Sequence, residues 1–246
     1  MKKLSIIIPV YNEERTIFDV LEKVNAVALQ NDIEKEIIVV NDTSSDSSGS
    51  EIERYIATSN KPNIQYISHP INKGKGGALH TGIQKATGDY TIIQDADLEL
   101  DPNEFKIIIQ PVLDGKADIV YGSRFLNKKK EGAALSKLAN GFLTRLSNFV
   151  FRTKITDMET CYKLVPTPIF QSLHLVEQRF GFEPEITAKL AKLKQLQWAE
   201  VAITYIPRNN EEGKKIGWKD GVRAIICILK YGWFTSKEKS LKNHKV

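Results

Sequence analysis

Three short apolar runs, Leu4-Ser5-Ile6-Ile7-Ile8, Glu36-Ile37-Ile38-Val39-Val40 and Tyr90-Thr91-Ile92-Ile93, each stop abruptly at a proline or at polar turn formers. Their hydrophobicity is nearly continuous rather than alternating, so both faces of each strand must be covered, as in a parallel sheet between helices. Pro9 fixes φ and lacks an N–H, which predicts the end of the first strand, with Asn12 and Glu13 opening the helix that follows. The pattern predicts strand 4–8, helix 14–29, strand 36–40, helix 48–57, strand 63–68, helix 75–86, strand 90–94, helix 102–113 and strand 118–121. This alternation specifies an α/β domain with a mostly parallel sheet flanked by helices. Asn41 to Asp46 is a cluster of turn formers, and Asp46 is read as the N-cap of helix 48–57.

In open parallel sheets, ligands bind outside the carboxyl ends of the strands. Tyr11, Glu13, Asp42, Asp95 and Asp97 all fall at such ends. In extended backbone, residues two apart share a face, so Asp95 and Asp97 in Gln94-Asp95-Ala96-Asp97-Leu98-Glu99 can converge on one hard cation together with a phosphate. Mg²⁺ or Mn²⁺ held by one or two carboxylates and substrate phosphate oxygens is the usual arrangement. Asn72-Lys73-Gly74-Lys75-Gly76-Gly77-Ala78 lacks the spacing and the final Lys-Ser/Thr pair of a P-loop. It is read as a helix-start loop bordering a nucleotide site, without a catalytic role.

The chain resembles the family 2 glycosyltransferases, and within them the dolichyl- or polyprenyl-phosphate mannose or glucose synthases. The resemblance rests on Ile8-Pro9-Val10-Tyr11-Asn12-Glu13, Val40-Asn41-Asp42 with Ser45-Asp46, Asn72-Lys73-Gly74-Lys75-Gly76, Gln94-Asp95-Ala96-Asp97-Leu98 and Gly122-Ser123-Arg124, in the family's order. Weaker similarity continues to about residue 215. The resemblance implies a single GT-A-type (Rossmann-like) nucleotide-diphospho-sugar transferase domain over 1–215, followed by a C-terminal amphipathic helix and lysine-rich tail over 216–246. It also implies that Pro9, Tyr11, Glu13, Val40 and Asp42 frame the base of a GDP- or UDP-sugar, and that Asp95, Ala96 and Asp97 meet its diphosphate. Glu99 stands where the lipid-phosphate mannosyl synthases carry a metal-binding glutamine, giving Asp95, Asp97 and Glu99 as metal ligands. Arg208 and Lys214 match a loop that closes over the diphosphate, the alternative being a solvated basic loop.

The implied activity is an inverting, metal-dependent transfer of mannose or glucose to a polyprenyl (dolichyl-type) phosphate. Such a reaction develops negative charge on the departing diphosphate, which a cation and basic side chains must stabilise. A polyprenyl phosphate is already anionic, whereas a sugar hydroxyl needs a general base. Arg124 and Arg145 are the candidate acceptor-phosphate contacts. The stretch Ile155 to Lys163 resembles the lipid-phosphate enzymes except that Cys161-Tyr162 replaces the usual Gly-Phe. Asp157 is either the base for a hydroxyl acceptor or a loop anchor, and Glu159 is read as structural. The alternative is a family 2 enzyme using a sugar hydroxyl in cell-wall or polysaccharide assembly. A non-catalytic nucleotide-sugar binding protein is disfavoured by the Asp95/Asp97, Arg124 and Arg208/Lys214 set.

A length of 246 residues suits one such domain, and Cys161 and Cys227 alone do not make a disulfide framework, which favours a reducing compartment. With 35 Lys+Arg against 30 Asp+Glu, the formal net charge is +5, a bias that suits nucleic acid, an anionic membrane or an anionic substrate. No nucleic-acid recognition motif is present, so nucleic acid is set aside. No signal peptide opens the sequence, and Val222 to Phe234 is too short and too interrupted by Arg223 and Lys230 to span a bilayer. The expected location is cytoplasmic, peripheral at the cytoplasmic membrane face, by surface contact or through a membrane-protein partner. Leu138, Phe142, Leu146 and Phe149 recur at helical spacing beside Lys137, Arg145 and Arg152, and are read as a helix packed on the core in preference to a lipid-contacting face. Trp218, Val222, Ile225, Ile226, Leu229 and Trp233 recur likewise ahead of lysines 237, 239, 242 and 245. Here packing on the domain and lying on an anionic membrane stand as equal alternatives.

Overall fold

The structure is a computed structural model that describes residues 1–59, 63–126, 134–207, 218–236 and 240–241. The segment 127–132, Arg208, Lys214 and lysines 237, 239, 242 and 245 lie outside the described residues.

Among the described residues seven strands form one sheet: β1 (Lys3–Val10), β2 (Glu34–Asn41), β3 (Ile64–Ser68), β4 (Tyr90–Ile93), β5 (Ile119–Ser123), β6 (Lys163–Pro166) and β7 (Trp198–Ala202). Their order is β3-β2-β1-β4-β6-β5-β7. Every pairing is parallel except those of β6, which runs antiparallel to β4 and β5. Leu4, Ile6, Ile7 and Ile8 of β1 are fully buried, as a central strand covered on both faces requires. The chain reverses direction across the sheet between β1 and β4, so their carboxyl ends flank a topological switch point.

The helices are α1 (Ile17–Ala26), α2 (Ser48–Ser59), α3 (Gly74–Lys85), α4 (Phe105–Leu113), α5 (Ala134–Phe151), α6 (Thr167–Ser172), α7 (Phe182–Ala191) and α8 (Trp218–Trp233). α1 buries Ile17, Val20, Leu21 and Val24, a single 3.6-period stripe. It starts later than Asn12 and Glu13 suggest, because Asn12 has φ 53° and Glu13 O closes a turn with the N–H groups of Thr16 and Ile17. Strand β1 in turn runs one residue past Pro9, whose missing N–H costs the pairing with β2 only a single bond. The predicted helix 102–113 is a 3₁₀ turn, Pro102–Glu104, capped by the Asp101 side chain and leading into α4.

Two helices carry large apolar residues on two faces and bury only one of them. In α5 the core side carries Leu143, Thr144, Ser147 and Phe151, while Leu138, Phe142 and Phe149 are exposed. The helix packs on the core as expected, and Leu146 of the stripe lies against it, but Leu138, Phe142 and Phe149 do not, because the core side is taken by Leu143, Thr144, Ser147 and Phe151. In α8 the buried set is Ala224, Cys227, Ile228 and Tyr231, while Val222, Ile226 and Trp233 face outward. α8 packs against both α5 and α7. Among the described residues no helix is long and apolar enough to cross a membrane.

Candidate active site

The loops after β1 and β2 are laced together. Asn12 N–H donates to Ser44 Oγ (3.0 Å), Asn12 Oδ1 accepts from Ser45 N–H (2.8 Å), and Glu13 N–H donates to Ser48 Oγ (2.7 Å). Asp46 accepts from Ser48 N–H (3.0 Å) and Glu14 N–H (3.1 Å), so it secures the start of α2 and also binds the neighbouring loop. Thr16 Oγ1 then donates to Ala96 O (2.8 Å), bringing the Tyr11–Glu13 loop against Asp95-Ala96-Asp97 across the switch point. Pro9 is partly exposed and Tyr11 exposed at the mouth of this crevice.

Val40 and Asp42 are placed differently from the residues of β1. The Val40 side chain is fully buried with Ile38, Ala78 and Ala86, where it packs against α3. Asp42 is 2 % exposed and accepts from Lys73 N–H (2.8 Å) and Gly74 N–H (2.6 Å), with His69 Nδ1 at 2.8 Å. Its carboxylate thereby holds the start of α3. Gly74 has φ +76°, and a Cβ there would lie 2.5 Å from Gln178 O, so only glycine fits. The turn places Lys75 Nζ 2.6 Å from Asp95 Oδ1. Burial opposes the charge on each, but their mutual attraction outweighs it, raising the lysine pKa and lowering that of the carboxylate.

Asp95, Asp97 and Glu99 follow β4, whose end is braced by the two residues that depart from the family pattern. Tyr162 OH donates to Gln94 Oε1 (2.6 Å) in the buried interior, and Cys161 Sγ lies 3.7 Å from Ile93 O. Asp97 Oδ1 accepts from Glu99 N–H (3.2 Å), and Glu99 Oε2 accepts from Tyr205 OH (3.1 Å). Among the described residues no three His, Cys, Asp or Glu side chains form a ready metal cage. At the two ends of the motif, Lys75 engages Asp95 and Tyr205 engages Glu99.

Arg124 and Asp157 form the other half of the site. Arg124 Nε and Nη2 donate to Asp157 Oδ2 (2.7 Å) and Oδ1 (2.8 Å), and the Arg124 N–H adds a third bond at 3.1 Å. Asp157 is fully buried. Desolvation works against the guanidinium, but Asp157 outweighs it and raises its pKa. The Tyr205 ring lies 5.2 Å from the Arg124 guanidinium carbon, so this tyrosine joins Glu99 to Arg124. Glu200 accepts from Thr156 N–H (2.8 Å) and fixes the loop that carries Asp157. Glu159 Oε1 is buried without a hydrogen-bond partner. Burial, with added repulsion from Glu183, pushes its pKa up to about 7 against the pull of Lys163 and Arg124. Arg145 is exposed on α5, apart from Arg124's buried pair.

The crevice thus gathers Glu13, Asp95, Ala96, Asp97, Glu99, Arg124 and Asp157, with Asp42 one shell behind. Sequence reasoning missed Lys75 and Tyr205. The lysine stood in a stretch read as loop chemistry alone, and nothing in the local pattern links Tyr205 to residues about a hundred positions away.

The profile of glycosyl transferase family 2 matches residues 5–173. A dolichyl-phosphate beta-glucosyltransferase of Trichomonas vaginalis is 27% identical over 252 residues, covering 94% of this chain and 73% of that protein. A dodecaprenyl-phosphate galacturonate synthase of Rhizobium johnstonii is 24% identical, covering 94% and 67%. Glucosyl-3-phosphoglycerate synthase from Mycobacterium tuberculosis, solved with Mn²⁺, UDP and phosphoglyceric acid, superposes with a TM-score of 0.71 at 18% identity, covering 94% of this chain and 79% of that one. The last likeness is one of fold.

Proposed function

Because this chain belongs to glycosyl transferase family 2, we propose that it transfers a hexose, mannose or glucose, from a GDP- or UDP-sugar to a polyprenyl (dolichyl-type) phosphate. The observation that carries the reading is the commitment of Asp157: both of its oxygens are engaged by Arg124 in a fully buried pair. The carboxylate named as base for a hydroxyl acceptor is thereby occupied, whereas a phosphate acceptor needs no deprotonation. The lipid-phosphate sugar transferases that align along 94% of the chain support the same acceptor class.

In this mechanism Tyr11 supplies a flat apolar surface at the crevice mouth for the base, and Pro9 and Glu13 bound the same pocket. Asp42 acts on the base indirectly, by fixing the turn that carries Lys75. Asp97 and Glu99 are partly exposed hard oxygen donors two residues apart in the loop after β4, which fits Mg²⁺ or Mn²⁺ completing its shell with diphosphate oxygens. Asp95 remains with Lys75, which sets an ammonium beside the diphosphate. Such an ion, when bound, neutralises charge on the departing diphosphate. Arg208 and Lys214 are assigned to the same task from their sequence positions. Arg124, held in orientation by Asp157, faces the acceptor phosphate. Direct displacement inverts the anomeric centre, so an α-linked donor gives a β-linked product. Residues 1–215 carry the groups that perform the transfer, and 216–246 contribute contact with the membrane surface at the cytoplasmic side, with α8 also packed on the domain.

One observation favours a second reading, a hydroxyl acceptor: Glu159 has an unpartnered oxygen and a pKa pushed up to about 7, values suited to a general base. A panel of GDP- and UDP-sugars with a short polyprenyl phosphate and Mg²⁺ or Mn²⁺, read by product mass and anomeric NMR, tests both. A β-linked lipid-phosphate sugar is expected. Turnover of a soluble sugar acceptor in place of the lipid phosphate would establish the second reading, and a retained α product would exclude direct displacement.

A further inference from the structure

Helices α5 and α8 each carry two apolar faces. At about 100° per residue, Leu138, Phe142 and Phe149 of α5 fall within about 40° of one another, as do Val222, Ile226 and Trp233 of α8. Both stripes lie opposite the buried faces and are open to solvent: Leu138 is 75 % exposed, Phe149 77 %, Trp233 60 % and the adjoining Phe234 77 %. The helices pack side by side, with Gly232 so close to Val150 that a Cβ would collide with it. That contact sets the two helices against each other, so both outward stripes belong to neighbouring helices of one packed pair. Scattered exposed apolar residues need no explanation, but two stripes rich in aromatics on neighbouring helices do.

The charge around this surface is predominantly positive. α5 contains no acidic residue, and Lys137, Arg145 and Arg152 accompany its stripe. On α8, Arg223 and Lys230 flank the stripe; both bind the buried Glu177 yet keep about half of their side-chain surface exposed, and Asp220 is that helix's one carboxylate. A two-fold contact of this face with a second copy would set cations against cations. An anionic bilayer complements both features, since aromatic side chains settle at the headgroup boundary while basic residues meet lipid phosphates.

We propose that the α5/α8 face is a bilayer-docking surface, in which Phe142, Phe149, Ile226, Trp233 and Phe234 insert into the interface of an anionic membrane. The inference rests on the lipid-phosphate reading for its purpose: docking by this face brings the Arg124 side of the sheet to an acceptor whose phosphate lies at the headgroup level.

The test uses the full chain with vesicles of phosphatidylcholine containing phosphatidylglycerol, and with vesicles of phosphatidylcholine alone. The wild type should sediment with the former, more weakly with the latter, and show a blue shift of tryptophan emission that Trp233→Phe removes. The double variant Phe142→Glu/Phe149→Glu should lose about tenfold or more in vesicle partitioning. Its circular dichroism and thermal unfolding should be unchanged, because both positions are exposed. Arg145→Glu/Arg152→Glu should weaken binding to the anionic vesicles alone. Undiminished partitioning of the Phe142→Glu/Phe149→Glu variant would overturn the proposal, as would a wild-type dimer that this variant dissociates, which would give the face to a second copy. Transfer to a short polyprenyl phosphate in detergent separates the two ideas. Vesicle binding lost in the variant while the wild type fails to transfer in detergent would refute the acceptor and support the surface; transfer in detergent with no wild-type vesicle binding would do the reverse.

Discussion

At the scale of single residues, the site works by pairing each charge with a partner that sets its state. Asp97 is partly exposed and its carboxylate meets the Glu99 N–H, so Asp97→Ala should leave thermal unfolding unchanged while reducing transfer by about 10²-fold or more, the cost of removing a group that supports transition-state charge. Asp157 behaves oppositely. Asp157→Asn strands the buried Arg124 guanidinium and should cost stability of about 3–5 kcal/mol, read by denaturant midpoint, with activity lost largely through misplacement of Arg124. An unchanged midpoint would show that the pair is dispensable to the fold. Glu159 supplies the pH dependence: its folded pKa of about 7 lies above the ordinary value of 4.5, so its contribution to stability is fully present below about 4.5 and is lost as pH rises through about 7. Glu159→Gln should flatten stability against pH across that window. The same variant should keep near-normal turnover of polyprenyl phosphate, whereas a fall of about 10²–10⁴-fold would identify a general base and a hydroxyl acceptor. The acidic motif and Arg124 were legible because short, local patterns carry them. The neutralising roles of Lys75 and Tyr205 were not, because they arise only when α3 and the segment after β7 are folded against β4.

At the scale of elements, the strands of the first half were readable because parallel strands buried on both faces leave uninterrupted apolar runs. β6 was not, since Lys163-Leu164-Val165-Pro166 is short, begins with a buried lysine that pairs with Glu183, and runs against its neighbours. The apolar stripes of α5 and α8 were legible as helical periodicity; for α5 the packed face was preferred and for α8 packing and an outward face stood equal, because periodicity states that a face exists and leaves its partner unspecified. Loop 173–181 connects these elements to the site. Gln178 O accepts from Gly77 N–H (3.1 Å), while Glu177 accepts from Arg223 (2.7 Å) and Tyr231 OH (2.7 Å) on α8. Burial opposes ionisation of Glu177, but these bonds outweigh it and lower its pKa. With a folded value below 4.5, its contribution is present above about 4.5 and lost as pH falls through the lowered value. Glu177→Gln should therefore reduce stability near neutral pH and remove part of the acid sensitivity, as thermal unfolding between mildly acidic and neutral buffers would show. An acid limb identical to wild type would place the sensitivity elsewhere.

At the scale of the molecule, the question is whether the chain divides after residue 215. The family resemblance implies that it does, with a catalytic domain followed by an appended helix and tail. The packing gives α8 a second allegiance, because Ala224, Cys227, Ile228 and Tyr231 are buried against α5 and α7 while the opposite stripe faces outward. Burying Ile228 and Tyr231 alone is worth about 1.5–3 kcal/mol each. Set against the 5–15 kcal/mol that is typical of a folded domain, about 5 kcal/mol is too large a share to come from an appendage. Loss of α8 would also remove Arg223, Lys230 and Tyr231 from Glu177 and uncover the apolar side of α7, next to the turn that positions Lys75. A chain ending at residue 217 should accordingly unfold at a markedly lower temperature or fail to give a cooperative transition, and donor binding should weaken with it, even with a nucleotide sugar that never meets a membrane. A truncated protein with wild-type melting temperature and donor affinity would make α8 a detachable anchor, whereas the expected loss of both would make it one helix serving two surfaces.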